Sequence, residues 1–497
     1  MLFTAVLALV VSSSFSYVLK DRSSEFRANP SDFRAARHVV ERTWDFSTCA
    51  PGSRLKLGGK VLNKRNLALT TLDAVKLAPL LHQETFEDRM DVWCKLAKME
   101  VKAARGLGKN HVDFDVEELD KFQGDIVVDK EFVDILLGAY DEQSGENGDR
   151  EGRARLKRAT TIYEQFYWDS EIRWQFSPVG LDSSLKNDIR QGFNFIQDNT
   201  CVRFREFPAS PNLIGAHVTV KNSTRCGAVV GKRGERSHDL LISESCSGIG
   251  TVLHEIGHVL GLFHEHTRPD RDLYLNINTE NVWDGATYLH LINDSGTFTY
   301  SKTLGIPYDY ASVMHYSAYA FSKNSLPTIS PKDPIMEQVL GQRETMSFFD
   351  VKFINTMYAC AGKCGVNSLE WNFCKNGGYR DPNDCDRCKC PSGFAPPSCA
   401  EISPGINANC GQRELVATEV EKTLTSPGYP SGYPGRADCA WIIRAPRDQR
   451  LRLQFKGEFH VEPHSLTCRA FVEVRYKDVT LAGAREVWRM YARRSSD

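Results

Sequence analysis

Residues 254–272 read HEIGHVLGLFHEHTRPDRD, with His254, His258 and His264 spaced four and six apart and Glu255 directly after the first. The preceding IGTVL is apolar, and a helix through it would carry His254 and His258 on one face, where both imidazoles can reach one ion. Glu255 would sit about 100 degrees further round, near a metal-held water without being a ligand, which is the place for a general base. Gly261 comes three residues after the second histidine, where a helix can end in a left-handed turn at little steric cost. The chain would then bring His264 back to the ion. Three neutral imidazoles leave a fourth position open, the pattern of a catalytic rather than a structural zinc site.

Working outward, SVMHY at 312–316 places Met314 and Tyr316 downstream. A Met-containing turn after a long histidine motif belongs to the metzincin pattern, in which Met314 would pack as a soft residue under the ligands. The four cysteines between 159 and 361 allow three pairings, and the sequence alone does not choose among them. Leu185, Ile189, Phe193 and Ile196 recur at helical spacing, whereas CVRFRE and AHVTVK alternate like strands. The segment therefore reads as an α+β domain.

The rest of the chain sets the context. Its 497 residues are 41% hydrophobic and 25% charged, which suits three or four domains. A formal charge of -1 with no long basic block gives nucleic acid or an anionic membrane surface no purchase. MLFTAVLALVVSSSFS, 1–16, reads as a secretion leader, with Ser14 and Ser16 at small-residue positions, although it lacks a Lys or Arg before the apolar run. No later apolar run reaches the roughly 18 residues needed for a membrane anchor.

The 15 cysteines fall mostly after residue 200, which implies an oxidising, extracellular compartment. Asn222 and Asn293 head Asn-x-Ser/Thr triplets, candidate glycosylation sites there. Residues 17 to about 140 are charge-rich, with helical spacing at Phe132, Ile135, Leu136 and Ala139 and only Cys49 and Cys94. The polar run 141–158 follows, ending in Arg155-Leu156-Lys157-Arg158, a processing site that would make Ala159 the mature N-terminus. Six cysteines crowd 364–399, and β-type runs such as LRLQF and FVEVRY occur from 410 to 480. Arg233 and Arg236 are basic residues that could face acidic substrates.

Taken together, HEIGHVLGLFHEHTRPDRD and SVMHY resemble the astacin family of secreted zinc endopeptidases over about 159–361, with His254, Glu255, His258, Gly261, His264, Glu265, Arg268, Asp270, Arg271 and Asp272 all meeting its pattern. The resemblance implies a metzincin-type, two-lobed catalytic domain acting on protein and peptide substrates. It implies that Tyr316 is an extra zinc ligand able to swing to the reacting carbonyl, and that Glu265 meets the mature N-terminus through water. It also implies the pairs Cys201–Cys360 and Cys226–Cys246. Phe122, Gly124, Asp125 and Ile126 match the FxGDI pattern of the family's propeptides, which makes Asp125 a zymogen-only ligand of the zinc and 17–158 an inhibitory propeptide.

The tail resembles that of nematode relatives, with an EGF-like module at 362–400 (Cys364, Cys374, Cys385, Cys388, Cys390, Cys399) and a CUB-like domain at 410–497 opened by Cys410 and Cys439. Cys468 lacks its expected partner and the closing strands are absent, so this domain is expected to be incomplete. Such modules imply placement on a matrix or cuticle. Loss of catalysis in a zinc-stabilised adhesion protein would remove a ligand or the base, and none is missing. A peptidase of another metzincin family would lack Tyr316 and Asp125.

Overall fold

The computed structural model describes residues 4–11, 53–57, 60–61, 91–97, 112–115, 121–122, 124–127 and 133, and 167–486 apart from 170, 179, 211, 247, 284–302, 447–448 and 456–469. A seven-stranded sheet carries the architecture. Its strands are β1 (Lys121–Phe122), β2 (Ile126–Val127), β3 (Glu171–Phe176), β4 (Arg203–Phe207), β5 (His217–Asn222), β6 (Gly227–Val229) and β7 (Ser237–Ile242), in the order β1-β2-β6-β7-β5-β3-β4. Strands β4, β3, β5 and β7 run parallel, and β6 turns antiparallel to β7. Beyond β6, the upstream segment adds β2 parallel to it, with Ile126 opposite Ala228 and Val127 opposite Val229.

The helix expected from Leu185, Ile189, Phe193 and Ile196 is α1, Ser183–Asn199, and all four side chains are buried. It begins where Asp182 accepts a hydrogen bond from the Leu185 amide at 2.7 Å, satisfying one of the first turn's orphan donors. Full burial of each such side chain stabilises by roughly 1.5–3 kcal/mol. The core they enter includes Trp174, Val218, Val220, Leu240, Val252, Ile256 and Met314, so sheet and helices share it. Helix α2, Ile249–Val259, is buried nearly all round and lies against α1 and the sheet, while α3, Phe348–Met357, starts at a Ser347/Asp350 capping box. A second, smaller core of Leu275, Tyr308, Tyr316, Ala318, Ile329 and Leu340 forms on the other side of the histidines.

The implied bridges Cys201–Cys360 and Cys226–Cys246 are both formed. The first ties the chain two residues beyond α1 to the chain just beyond α3; the second fastens the start of β6 to the approach to α2. In the small module downstream the pairs are Cys364–Cys385, Cys374–Cys388 and Cys390–Cys399, a connectivity that spacing left open. Cys410 pairs with Cys439.

The C-terminal sheet has the strand Asp438–Arg444 beside Glu414–Val416, and Ala470–Arg475 beside Ala484–Glu486. Between these halves lies Thr4–Val11, antiparallel to both neighbours. The apolar run read as a leader is thus a strand in this chain; its Val and Leu content suits a strand inside a sheet as well as a leader's apolar stretch. LRLQF, expected as a strand, is irregular at 451–455, while FVEVR is a strand as expected. Arg475 and Arg485 surround buried Glu473, and Arg485 also reaches Glu344 at 3.5 Å. Lys477 meets Asp333 at 2.6 Å, so the C-terminal domain docks on the 333–344 segment of the histidine-bearing domain. Among the described residues, no helix is long and apolar enough to cross a membrane.

Candidate metal centre

Helix α2 delivers His254 and His258 and then stops where the sequence places its glycine. Gly261 has φ of 102°, its amide donates to the His258 carbonyl at 2.8 Å, and Leu262 donates to Gly257 at 2.9 Å, the paired bonds of a Schellman ending. His264 follows in extended backbone. All three imidazoles and Glu255 are buried.

The three histidines and Asp125 each offer one donor atom, and these atoms lie within 4.8 Å of one another. Asp125 Oδ2 is 3.0 Å from His254 Nε2, and Oδ1 is 3.1 Å from His264 Nε2 and 3.5 Å from His258 Nε2. The other ring nitrogens face backbone oxygens: His254 Nδ1 lies 2.7 Å from the Val313 carbonyl and His258 Nδ1 2.8 Å from that of Leu262. A carbonyl only accepts, so in these two rings Nδ1 carries the proton and the Nε2 lone pair points at a carboxylate.

Burial pulls His254 down to about 3 and His264 to about 4, so both rings are neutral near pH 7. Burial works to raise the Asp125 carboxyl, and it is held well below the usual carboxylate range only if a proton or a cation lies among the facing Nε2 atoms. Lone pairs from neutral rings set against an anion repel unless a cation sits among them, and buried His258 Nε2 has no hydrogen-bond partner. The donor set fits one small divalent ion with nitrogen and oxygen ligands.

Around this centre the family-pattern residues form a brace. Arg268 bonds Asp270 through two nitrogens at 2.9 Å each, Glu265 at 2.9 Å, and the Ile306 and Pro307 carbonyls. Arg271 pairs with Asp272 and donates to the His266 carbonyl. Glu265 is largely enclosed, with its side chain 14% exposed: it accepts from the Asp309 amide, and desolvation raises its carboxyl to about 8 against the pull of Arg268.

Met314 is buried under α2, and its carbonyl accepts from the Glu265 amide at 3.0 Å. Tyr316 is buried, stacks on His266 with centroids 3.9 Å apart and lies 4.5 Å from the His264 ring.

Several contributors carried no sequence signal. Asp350, at the start of α3, accepts from Ser312 Oγ at 2.6 Å and the Val313 amide at 2.8 Å, so α3 orients the carbonyl that orients His254. His266 was legible only as a fourth histidine in the motif, and Phe321, next to Gly124 and Tyr316, not at all. Arg233 is not the exposed cation expected: it is buried, because its Nε donates to the Val230 carbonyl three residues back and so turns the side chain inward. Asn222 is exposed and its amide donates to the Gly180 carbonyl at 2.6 Å. Arg158, Asn293, Cys49 and Cys468 lie outside the described residues.

Residues 160–359 match the astacin peptidase family. These residues form an astacin-family domain. Residues 410–485 match the CUB domain, so the chain couples the two. It is 32% identical over 414 residues to zinc metalloproteinase nas-36 of Caenorhabditis briggsae, covering 80% of this chain and 64% of that one. It is 31% identical over 400 residues to zinc metalloproteinase dpy-31 of Teladorsagia circumcincta, covering 79% and 61%. The chain thus spans less than two thirds of the length of these relatives. Among solved structures, the hatching enzyme zinc-protease HCE-1 of Oryzias latipes is 30% identical, covering 39% of this chain and 95% of that one, with a TM-score of 0.35.

Proposed function

We propose that this chain is a zinc-dependent endopeptidase made as a secreted zymogen, with zinc held by His254, His258 and His264, joined by Tyr316 in the mature form and by Asp125 before processing. The observation that carries it is the Asp125 carboxylate set among three Nε2 atoms at 3.0–3.5 Å. Zinc, when bound, supplies a Lewis acid that polarises the scissile carbonyl and makes water acidic enough to attack near neutral pH.

The chain's own residues do the rest. Glu255 accepts the proton of the attacking water and returns it to the departing amine. The Tyr316 phenol donates a hydrogen bond to the carbonyl oxygen as it gains charge. Edge strand β6 aligns an extended substrate by backbone pairing, and β2 of the propeptide fills that place until it leaves.

A processing protease cutting after Arg158 frees Ala159, whose ammonium meets Glu265 through water. Glu265, partly exposed beside Arg268 with a raised carboxyl, supports this, since a second cation would favour its ionised form. The six-cysteine unit at 362–400 is read as EGF-like, supported by its three bridges. With the CUB domain it would hold the enzyme on matrix or cuticle proteins, its substrates. Residues 1–16 are read as a leader removed on secretion, and Asn222 and Asn293 as glycosylated there.

The test is to express wild type and Glu255→Ala, process both at Arg158, and profile cleavage of a peptide library with and without a chelator. Activity is expected only in unchelated wild type. Equal activity in the two proteins would defeat the mechanism.

A further inference from the structure

The turn that carries Tyr316 is gripped at both ends by two consecutive side chains of one short loop. Gln342 Nε2 donates to the Ala311 carbonyl at 2.6 Å, and Arg343 Nη1 donates to the His315 carbonyl at 3.0 Å. The same Nη1 also reaches the Gln342 carbonyl at 3.0 Å, so one planar group spans the loop and the turn. The loop itself is seated on the first turn of α2: a Cβ built on Gly250 would come within 1.8 Å of the Arg343 carbonyl oxygen. Helix α2 bears His254, Glu255 and His258, and the turn bears Tyr316, so Arg343 joins the two parts whose relative placement the reaction needs.

Arg343 is an unusual residue for this place. Arg343 is partly buried, and desolvation pulls its guanidinium down while nearby Asp125, Glu255 and Tyr316 support its charge. Among the described residues no carboxylate lies within ion-pair distance of it, so the guanidinium spends its bonds on two carbonyls. A partly desolvated cation held by carbonyls alone gains less than an ion pair would give, which argues for a use beyond packing. Peptide hydrolysis with Tyr316 as donor needs that phenol aimed to within a fraction of an ångström, and the peptide unit preceding Tyr316 is the one Arg343 holds.

We propose that Arg343 is a positioning residue for the peptidase reaction: its guanidinium clamps the His315 carbonyl to the loop on α2 and so fixes where the Tyr316 phenol points relative to Glu255. This rests on the reading of the chain as a peptidase, but the clamp can be tested without it.

The experiment compares full-length wild type, Arg343→Lys and Arg343→Ala by two measurements. In the unprocessed protein, amide hydrogen exchange is followed by mass spectrometry. The Ala variant should exchange about 10- to 100-fold faster at 313–317, with the distant strands at 171–176 and 217–222 unchanged. After processing at Arg158, Arg343→Ala should lose kcat by about 10- to 100-fold with KM within about twofold, retain its metal, and match Tyr316→Phe so that the double variant is hardly worse than either single one. Arg343→Lys should recover part of both effects, since it keeps a charge and a donor.

Unchanged exchange at 313–317 would overturn the clamp. A kcat loss that adds fully to that of Tyr316→Phe, or that comes with lost metal, would overturn the positioning role. If wild type cleaves nothing, the peptidase reading fails while the exchange result still decides the clamp; if the Ala variant does not fold, the Lys variant is read by the same measurements.

Discussion

Asp125 Oδ2 lies 3.0 Å from His254 Nε2, while the Asp125 backbone carbonyl accepts a hydrogen bond from the Ala228 amide, also at 3.0 Å. On the proposed reading, one residue would block the metal centre with its side chain and the substrate strand with its main chain. Asp125→Ala removes only the first block. Loss of charged contacts of about 1.5–3 kcal/mol should make the unprocessed protein roughly 10- to 100-fold more active on a small peptide. Silence of this variant, with full activity after cutting at Arg158, would show that the strand alone imposes latency.

Gly124 precedes it with φ of 81°, and a Cβ there would stand 2.6 Å from Phe321 Cζ and 3.3 Å from the Tyr316 hydroxyl. Gly124→Ala should therefore loosen the inhibitory segment through both a left-handed backbone cost of about 1–2 kcal/mol and the contact itself. The expected outcome is about tenfold higher basal activity in the zymogen and none in the processed enzyme. Adding Phe321→Ala should restore part of the latency, and a double variant as active as the single one would locate the cost in the backbone.

Tyr316→Phe keeps the ring that stacks on His266 and loses only the phenol. The processed variant should lose about 10²-fold in kcat with KM little changed, as for removal of one oxyanion donor. Metal content by mass spectrometry should match wild type. A loss confined to KM would assign Tyr316 to substrate binding.

His238 provides a pH test away from the metal. Its Nε2 accepts from the Arg233 amide at 2.5 Å, its Nδ1 faces the His217 carbonyl, and its ring meets Trp168 edge-on at 4.8 Å. Burial lowers it from 6.5 to about 4. Between those values the unfolded chain takes a proton that the folded chain refuses. The stability contributed is therefore complete above pH 6.5 and lost as pH falls toward 4, by roughly 3 kcal/mol. Urea denaturation at several pH values should show a shallower decline for His238→Gln than for wild type, and parallel declines would refute the assignment.

The sequence disclosed most where one local pattern settles a structure. The face of α1 follows from helical period, the end of α2 from Gly261, and the gathering of His254, His258 and His264 from their spacing on a helix that must turn. Asp125 was legible only through family resemblance, since Gly-Asp by itself reads as a turn. Arg343, Asp350 and Phe321 were hidden because each acts on residues 28 to 197 positions away, as in the Arg343–His315 and Gly124–Phe321 contacts, and no local period marks such a meeting. LRLQF misled because β-type alternation reports a half-buried surface, and among the described residues no strand pairs with 451–455 to complete one. Thr4–Val11 is ambiguous for a different reason: an apolar run is equally apt for a sheet interior and for a leader, and in the unprocessed chain it lies in the C-terminal sheet.

The ladder between Ile126–Val127 and Ala228–Val229 is made of peptide groups, which every residue but proline can supply. An edge that recognises peptide groups is indifferent to side-chain identity, so it grants any extended segment admission and discriminates among none. On the proposed reading, selectivity must then come from the side chains flanking the strand, and exchanging those side chains between relatives should transplant preference while leaving the proposed inhibitory segment interchangeable.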